Sequence, residues 1–529
     1  MTSRMKRLTM STSKRNQIGR RPLLLAGIAS LSGTSPIALL GCGGNGGDES
    51  SGSTDATTPT LTSQVPAADA SSISRTSAVR LTFSETVTVA SGALTLSTAA
   101  ASVESSVAVA GREVTLQPAR KLGFGKRYTI SANNTGIKDA VGNSYAGSSS
   151  TFTTIERNSA LALGALVMDT YLRRRWTEPS RNPWNVLPEL VDNGFEWLRI
   201  AVTTHSFPEL RATTAWHTLP FKSEYWSSLE VSGALLREAA ALGFRLHAVL
   251  FLSHQAADAG EGRQARPPEW AGLTEAEVEI KVQQHAATVA TYYRSLGLDI
   301  EVFEIGNEID FGVCGIRLGE TIAVPKGVNP INDPTWMRDN VWNLGAPLLK
   351  AAIRGVRTVY PNAKILLHVA GFGYSTANIA ATGFFQSMVD LGVPFDIAGL
   401  SFPYQFNGPD VSQPYFANAD FLATLNQIAT LGRPLQIVEF SYPADPAGTS
   451  KTPAARYPFT PAGQAAFIGA LAEAVRGKVE AIFYFYPDYY KGFAPSDPEL
   501  EGGGLFNSPT TARPGLEVFN AIAEGRLLA

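Results

Sequence analysis

A chain of 529 residues is too long for one ordinary hydrophobic core, so about two or three domains are expected. Hydrophobic residues at 44% and charged residues at 17% suit globular folding, and a formal net charge of −2 leaves no basic surface for nucleic acid. The two cysteines, Cys42 and Cys314, show no metal-ligand spacing, which excludes a structural zinc site, and no metal or cofactor is expected.

The chain opens as an address. Arg4, Lys6, Arg7, Lys14, Arg15, Arg20 and Arg21 precede the first acidic residue, Asp48, and an apolar stretch from Leu23 follows them. A positive flank, a short apolar core and small residues before a cleavage point form the export pattern. Arg20-Arg21 resembles a twin-arginine signal, with the ordinary secretory route as the alternative. Leu39-Leu40-Gly41-Cys42 resembles a bacterial lipobox. That resemblance implies a lipid on Cys42 and attachment to the bacterial cell envelope, at the outer membrane or cell surface. A membrane-spanning helix fits less well, because Pro36 and three serines interrupt a run that is already short. Removing residues 1–41 takes away seven cations and leaves a formal charge of −9, a surface suited to a neutral polymer rather than a polyanion.

Residues 43–60, rich in Gly, Ser, Thr and Asp, cannot bury a core and read as a flexible tether. From 61 to 154 the texture changes to short alternating strands: "AVRLTFSE" (78–85), "ALTLST" (93–98), "REVTLQPA" (112–119), "RYTISA" (127–132) and "STFTT" (150–154). Such spacing predicts an all-β sandwich. "IKDAVGNSY" (137–145) resembles the ending of bacterial Ig-like domains. The segment holds no Trp, which argues for a spacer rather than a sugar-stacking platform.

From 160 to 529 the pattern is strand then helix, repeated. Eight apolar runs occur at 161–168, 195–202, 244–252, 300–306, 364–370, 395–402, 435–441 and 480–486. Helical periodicity separates them, as in "GALLREAAALG" (233–243), and Thr274 with Glu277 spells a capping box. The expected fold class is α/β: a (β/α)8 TIM barrel behind an N-terminal Ig-like sandwich. A doubly wound open sheet is the alternative, but it would want a Gly-rich phosphate loop after its first strand, and "GALVMDTYLRRRW" is not one.

In such a barrel the working groups stand at the C-terminal ends of strands. Those ends supply Arg199, Asn307, Glu308, Ser401, Tyr404 and Glu439. Glu308 and Glu439 are 131 residues apart, three repeats of about 44, so they should face one another across the mouth. Two carboxylates flanking one site are what glycoside cleavage needs, one to protonate the departing oxygen and one to act on the anomeric carbon. For any single Glu the plain reading is a solvated loop residue, and Arg199 alone could be a simple ion pair. It is the pair, one member preceded by Asn, that points to a site.

Several stretches resemble glycoside hydrolase family 53, the arabinogalactan endo-β-1,4-galactanases: "GRQARPPEW" (262–270), "EIGNEI" (304–309), "ILLHVAG" (365–371), "FDIAGLS" (395–401), "IVEFSYP" (437–443), "YPFTPAGQAAFI" (457–468) and "GGGLFN" (502–507). The resemblance implies a retaining hydrolase acting on galactan, with Glu308 as acid/base, Glu439 as nucleophile and carboxyls roughly 5–5.5 Å apart. It also implies that Asn307 meets the sugar 2-hydroxyl, that Arg199 keeps Glu439 ionised, and that Glu308 titrates above Glu439. The departures fall in the sugar-contacting shell. After strand three only Asp258 and an offset His254 remain of the family's run, after strand six Phe402-Pro403 precede Tyr404, and after strand eight stands Phe485-Tyr486-Pro487. Trp270, Tyr404, Tyr442 and Tyr486, with His254, Asp258, His368 and Ser401, are the expected substrate contacts. Trp226, Trp336, Trp342 and Tyr489 are further aromatic candidates for the cleft, each with core packing as its plainer reading. The family's occasional calcium site is not spelled here. The expected partner is a polysaccharide, met by a monomer. A β-glucan or β-mannan substrate, or a non-catalytic surface glycan-binding protein on the same scaffold, are the alternatives.

Overall fold

The computed structural model describes residues 55–99, 101–157, 160–167, 186–211, 225, 227–254, 264–319, 321–370, 377–402, 419–446, 453, 456–490, 502–509 and 511–526; Cys42, Trp226, Asp258 and Tyr404 lie outside them.

Two four-stranded sheets form the first domain. One runs Leu61–Val65, Val79–Phe83, Glu113–Pro118, Ser105–Ala110; the other runs Ala70–Ile73, Ser148–Thr154, Arg127–Ala132, Leu94–Ser97. Alternation along each strand turns Val79, Leu81, Phe83, Val114 and Leu116 toward Leu94, Leu96, Ile130 and Phe152, and all of these are buried. The "DAVGN" turn has a simple cause. Asp139 Oδ1 accepts from the backbone N–H of Val141 (2.9 Å), Gly142 (2.6 Å) and Asn143 (2.8 Å), which closes the loop. Strand Ser105–Ala110 was absent from the sequence reading because it is an edge strand with nearly every side chain exposed, so no burial period marks it.

The second domain is a closed parallel barrel. Its strands β1 (Ala162–Leu166), β2 (Trp197–Val202), β3 (Arg245–Leu250), β4 (Ile300–Ile305), β5 (Lys364–Val369), β6 (Ile397–Phe402), β7 (Leu435–Phe440) and β8 (Ala481–Phe485) pair in chain order, and β8 returns to β1. The eight expected strands are all present and the open sheet is excluded. Helices α1 (Val186–Asp192), α2 (Leu229–Ala241), α3 (Glu275–Ser295), α4 (Asn343–Arg357), α5 (Ala377–Asp390), α6 (Ala419–Ala429), α7 (Pro461–Val475) and α8 (Pro514–Ala523) follow successive strands. The capping box forms as read: Thr274 Oγ1 accepts from Glu277 N, and Glu277 Oε2 accepts from Thr274 N at 2.8 Å. None of the described helices is long and apolar enough to cross a membrane.

The sandwich is fastened to the barrel. Arg75 is buried, donating to Leu122 O (2.5 Å) and to Asn520 Oδ1 of α8 (2.8 Å) with its guanidinium 3.8 Å over the Phe124 ring. Arg120 grips both oxygens of Asp192 at 2.9 Å, and Lys121 Nζ reaches Asn193 Oδ1 at 2.7 Å. Asp192 closes α1 and Asn193 opens the turn that leads into β2, at the N-terminal end of the barrel strands. The sandwich therefore sits at the end of the barrel opposite the C-terminal ends of its strands.

Candidate active site

The barrel interior is layered by the two-residue period of a strand. Its floor is apolar: Trp197, Val302, Leu366, Ile397, Ala481 and Phe483 pack together. Gly164 on β1 makes room for this plug, since a Cβ there would overlap the Phe483 ring. Two residues further along three of these strands, and four along β6, stand Arg199, Glu304, His368 and Ser401. The polar centre is thus built directly on a dry floor.

Arg199 is the hub. Its Nε and Nη2 grip Glu304 at 2.8 and 2.6 Å, Nη1 donates to Glu439 Oε1 at 2.6 Å, and Nη2 also reaches Asn307 Oδ1 at 2.7 Å. Glu304 is wholly buried. Burial opposes its charge, but Arg199 and His368 hold its carboxyl well below the usual range. His368, also buried, points Nδ1 at Glu304 Oε1 (2.9 Å) and Asn307 Oδ1 (3.0 Å), and Nε2 at Ser401 Oγ (2.9 Å). Burial disfavours its cation, yet Glu304 and Glu439 outweigh that and raise its pKa. His247 Nε2 lies 3.0 Å from Glu304 Oε2, out of line for a hydrogen bond, and burial lowers its pKa, so it stays neutral.

Glu308 ends β4 through a sharp corner. Gly306 has φ +76°, and a Cβ there would overlap Ile309; Glu308 itself sits in the left-handed region at φ 50°, ψ 55°. Holding a non-glycine there costs on the order of 1–2 kcal/mol and is a hallmark of functional corners. Gln264 Nε2 pins the corner by donating to Asn307 O at 2.6 Å. Ser401 Oγ then donates to Glu308 Oε1 at 2.7 Å. On the neighbouring strand, Val438 packs with the floor, yet the next residue, Glu439, also turns inward to Arg199. A register slip at this point on both sides of β7 re-aims it, and pairs Ser401 with Glu439.

Arg199 acts on Glu439 in the expected direction, drawing its carboxyl toward the ionised form, but burial acts against it. Burial pushes the Glu439 carboxyl up despite Arg199 and His368. The physical reason is that one guanidinium serves two carboxylates and Glu304 takes the two-pronged share. Beside this pair stands a third buried carboxyl, Asp310, which accepts from Ala370 N at 3.1 Å while Oδ2 has no partner among the described residues. Burial pushes its pKa up to about 7. Glu304, Gln264 and Asp310 were all missing from the sequence reading. The odd-even position of Glu304, two past Val302 on a strand with an apolar floor, was the signal that could have found it.

Other expected contacts fall differently. Trp270 is core, 6% exposed in a short turn, with its ring against His285 of α3. Tyr442 is wholly buried, stacked on Phe467 at 4.0 Å with its hydroxyl donating to Tyr457 O. Both are corrections: their faces are spent on packing against helices. Arg199 and His368, also expected as contacts, are fully enclosed and present no exposed surface to a ligand. Trp342 is structural, its Nε1 donating to Asp310 O at 2.7 Å. His254 is half-buried with its ring edge-on to His205, while Tyr486 is half-buried at φ 51° after β8, its ring 5.1 Å from Tyr489. These two remain where a substrate could reach them.

The sequence profile of glycosyl hydrolase family 53 matches residues 166–519, and that of a bacterial Ig-like domain matches 55–154. A probable arabinogalactan endo-β-1,4-galactanase A of Aspergillus fumigatus is 25% identical over 308 residues, 56% of this chain and 78% of its own. The arabinogalactan endo-β-1,4-galactanase A of Aspergillus niger is 24% identical over 271 residues, 49% of this chain and 68% of its own. Among solved structures, the Ignisphaera aggregans GH53 catalytic domain superposes with a TM-score of 0.52 at 23% identity, covering 68% of this chain and 96% of that one. A structure from a study of two fungal β-1,4-galactanases gives 0.50 at 20%, covering 68% and 98%. At those identities the structures speak for the fold. With residues 166–519, nearly the whole barrel, matched in sequence, this chain belongs to glycosyl hydrolase family 53 and is a glycoside hydrolase.

Proposed function

We propose that the protein cleaves β-1,4-galactan with retention of anomeric configuration, using Glu308 as acid/base and Glu439 as nucleophile. The observation that carries this reading is the divided support of the two carboxyls. Glu439 Oε1 takes a charged hydrogen bond from Arg199, which suits a group that must attack and then leave as an anion. Glu308 Oε1 takes a hydrogen bond from a neutral hydroxyl, that of Ser401, which suits a group that must hold and release a proton. The galactanase names of the relatives above support the choice of polymer.

In the first step Glu308 gives its proton to the glycosidic oxygen as the bond to the anomeric carbon breaks, and a Glu439 oxygen bonds that carbon from the opposite face. In the second step the Glu308 carboxylate takes a proton from water, whose oxygen displaces Glu439 and restores the original configuration. Asn307 Oδ1 is spent on Arg199 and His368, so its contact to the sugar 2-hydroxyl runs through Nδ2.

Reducing-sugar release by the full chain from purified β-1,4-galactan, β-glucan and β-mannan tests the reading, with Glu439→Ala as the control. The expected result is release from galactan alone, lowered by more than about 10³-fold in the variant. Release from another glycan replaces the substrate, and retention on a glycan column without release from any of them replaces the enzyme with a binding protein.

A further inference from the structure

The acid/base sits at the end of a buried chain of hydrogen-bonding groups that its own chemistry does not require. From the inside outward the chain runs Glu304 Oε1, His368 Nδ1 (2.9 Å), His368 Nε2, Ser401 Oγ (2.9 Å), Glu308 Oε1 (2.7 Å). Four residues from three adjacent strands make it, and its inner members, Glu304 and His368, are wholly enclosed. We propose that Glu304, His368 and Ser401 form a one-way hydrogen-bond chain that places the acid proton of Glu308 on Oε2, the oxygen not turned to Ser401.

The direction follows from donors and acceptors. Nδ1 of His368 faces two acceptors, the Glu304 carboxylate at 2.9 Å and Asn307 Oδ1 at 3.0 Å; Arg199 Nη2 lies farther off at 3.4 Å, and its two hydrogens go to those same two oxygens. The amide of Asn307 cannot be turned round, because Oδ1 also accepts from Arg199. Nδ1 therefore carries a hydrogen. If Nε2 carries one too, it donates to Ser401 Oγ, and the only hydroxyl hydrogen of Ser401 must go to Glu308 Oε1. Glu308 then holds its own proton on Oε2, available to a departing sugar oxygen. If His368 loses its second proton, Nε2 becomes an acceptor and the chain reverses. Ser401 then donates inward, and the proton of Glu308 is drawn to Oε1, facing Ser401 and idle.

The charges around His368 favour the outward direction. Glu304 from β4 touches it, and Glu439 from β7 adds to the pull; Arg199 from β2 opposes, while His247 from β3 stays neutral. Asp310, past the end of β4, also feels the imidazole and would add to the pull once ionised. The net effect is the raised pKa of His368. Ser401 and His368 are thus positioning residues for the general acid, and Glu304 fixes the state of His368. The alkaline limb of the pH–rate profile then reports His368 as well as Glu308.

This inference rests on Glu308 being the acid/base, and the test separates the two. The full chain is assayed on galactan and on a 2,4-dinitrophenyl galactobioside, whose leaving group needs no proton. Glu308→Ala must lose galactan cleavage while keeping formation of the glycosyl-enzyme from the activated substrate; equal loss on both overturns the acid/base assignment itself. With that control in place, Ser401→Ala is expected to slow galactan cleavage at least about tenfold more than the activated substrate, and Ser401→Thr to restore it. Glu304→Gln is expected to move the alkaline limb to lower pH, and to move the acid limb the same way by leaving Arg199 to Glu439. Ring ¹⁵N spectra of the chain, which has six histidines, should show His368 protonated on both nitrogens at pH 7 in the native protein and on one in Glu304→Gln. Equal losses on both substrates in Ser401→Ala, or an unmoved alkaline limb with a neutral His368 in the native protein, overturn the chain alone.

Discussion

Glu304 is the residue on which the polar centre turns. As an internal residue of β4 it sits where a barrel wants an apolar side chain, and it compensates by engaging Arg199 twice and His368 once. That arrangement divides the guanidinium between two carboxylates and raises the pKa of His368, so a position that looks structural bears on two others. Asp310 carries the opposite lesson. Its folded pKa of about 7 lies above the unfolded value of about 3.9, so the native state binds the extra proton. Its contribution to stability therefore falls as pH rises from about 4 to about 7 and stays low above that, by up to about 4 kcal/mol. Asp310→Asn should accordingly gain stability relative to the native protein at pH 8 and show little gain at pH 4, measured as the pH dependence of the denaturant midpoint. A constant difference across that range would contradict a buried, raised carboxyl.

Elements were legible in the sequence wherever burial followed a strict period. The eight barrel runs stood out because each strand is covered on both faces and reads as a continuous apolar stretch, and the capping box at Thr274 was explicit. Glu308 and Glu439 could be found because strand ends in this fold are where function sits. Side-chain direction at those ends was not legible. Tyr442 follows Glu439 by three residues and looked equally placed, but the register slip in β7 sends it against Phe467 and Phe459 of the outer layer. Trp270 belongs to a turn that docks on α3, a tertiary fact with no local signature. Arg75 was equally silent, since nothing local distinguishes a buried interdomain arginine from a surface one. Arg75→Ala should separate the unfolding of the sandwich from that of the barrel in calorimetry, at a cost of about 2 kcal/mol from the orphaned Asn520 and lost packing on Phe124. A single unshifted transition would show that this contact does not couple the domains.

Across the whole molecule the order of parts matches the order of tasks. The Ig-like sandwich grips the end of α1, the turn before β2 and helix α8, at the end of the barrel away from Glu308 and Glu439. A polymer can therefore approach the mouth without meeting the sandwich. The central claim is that the barrel works through a covalent bond to Glu439, and one measurement addresses it most directly. The full chain is incubated with an activated 2-deoxy-2-fluoro-galactobioside, and intact mass followed by peptide mapping locates any adduct. A single stable adduct on the peptide containing Glu439, absent in Glu439→Ala, is the predicted result. No adduct, together with product released in the inverted configuration, would contradict the two-step mechanism and return Glu439 to the role of a base.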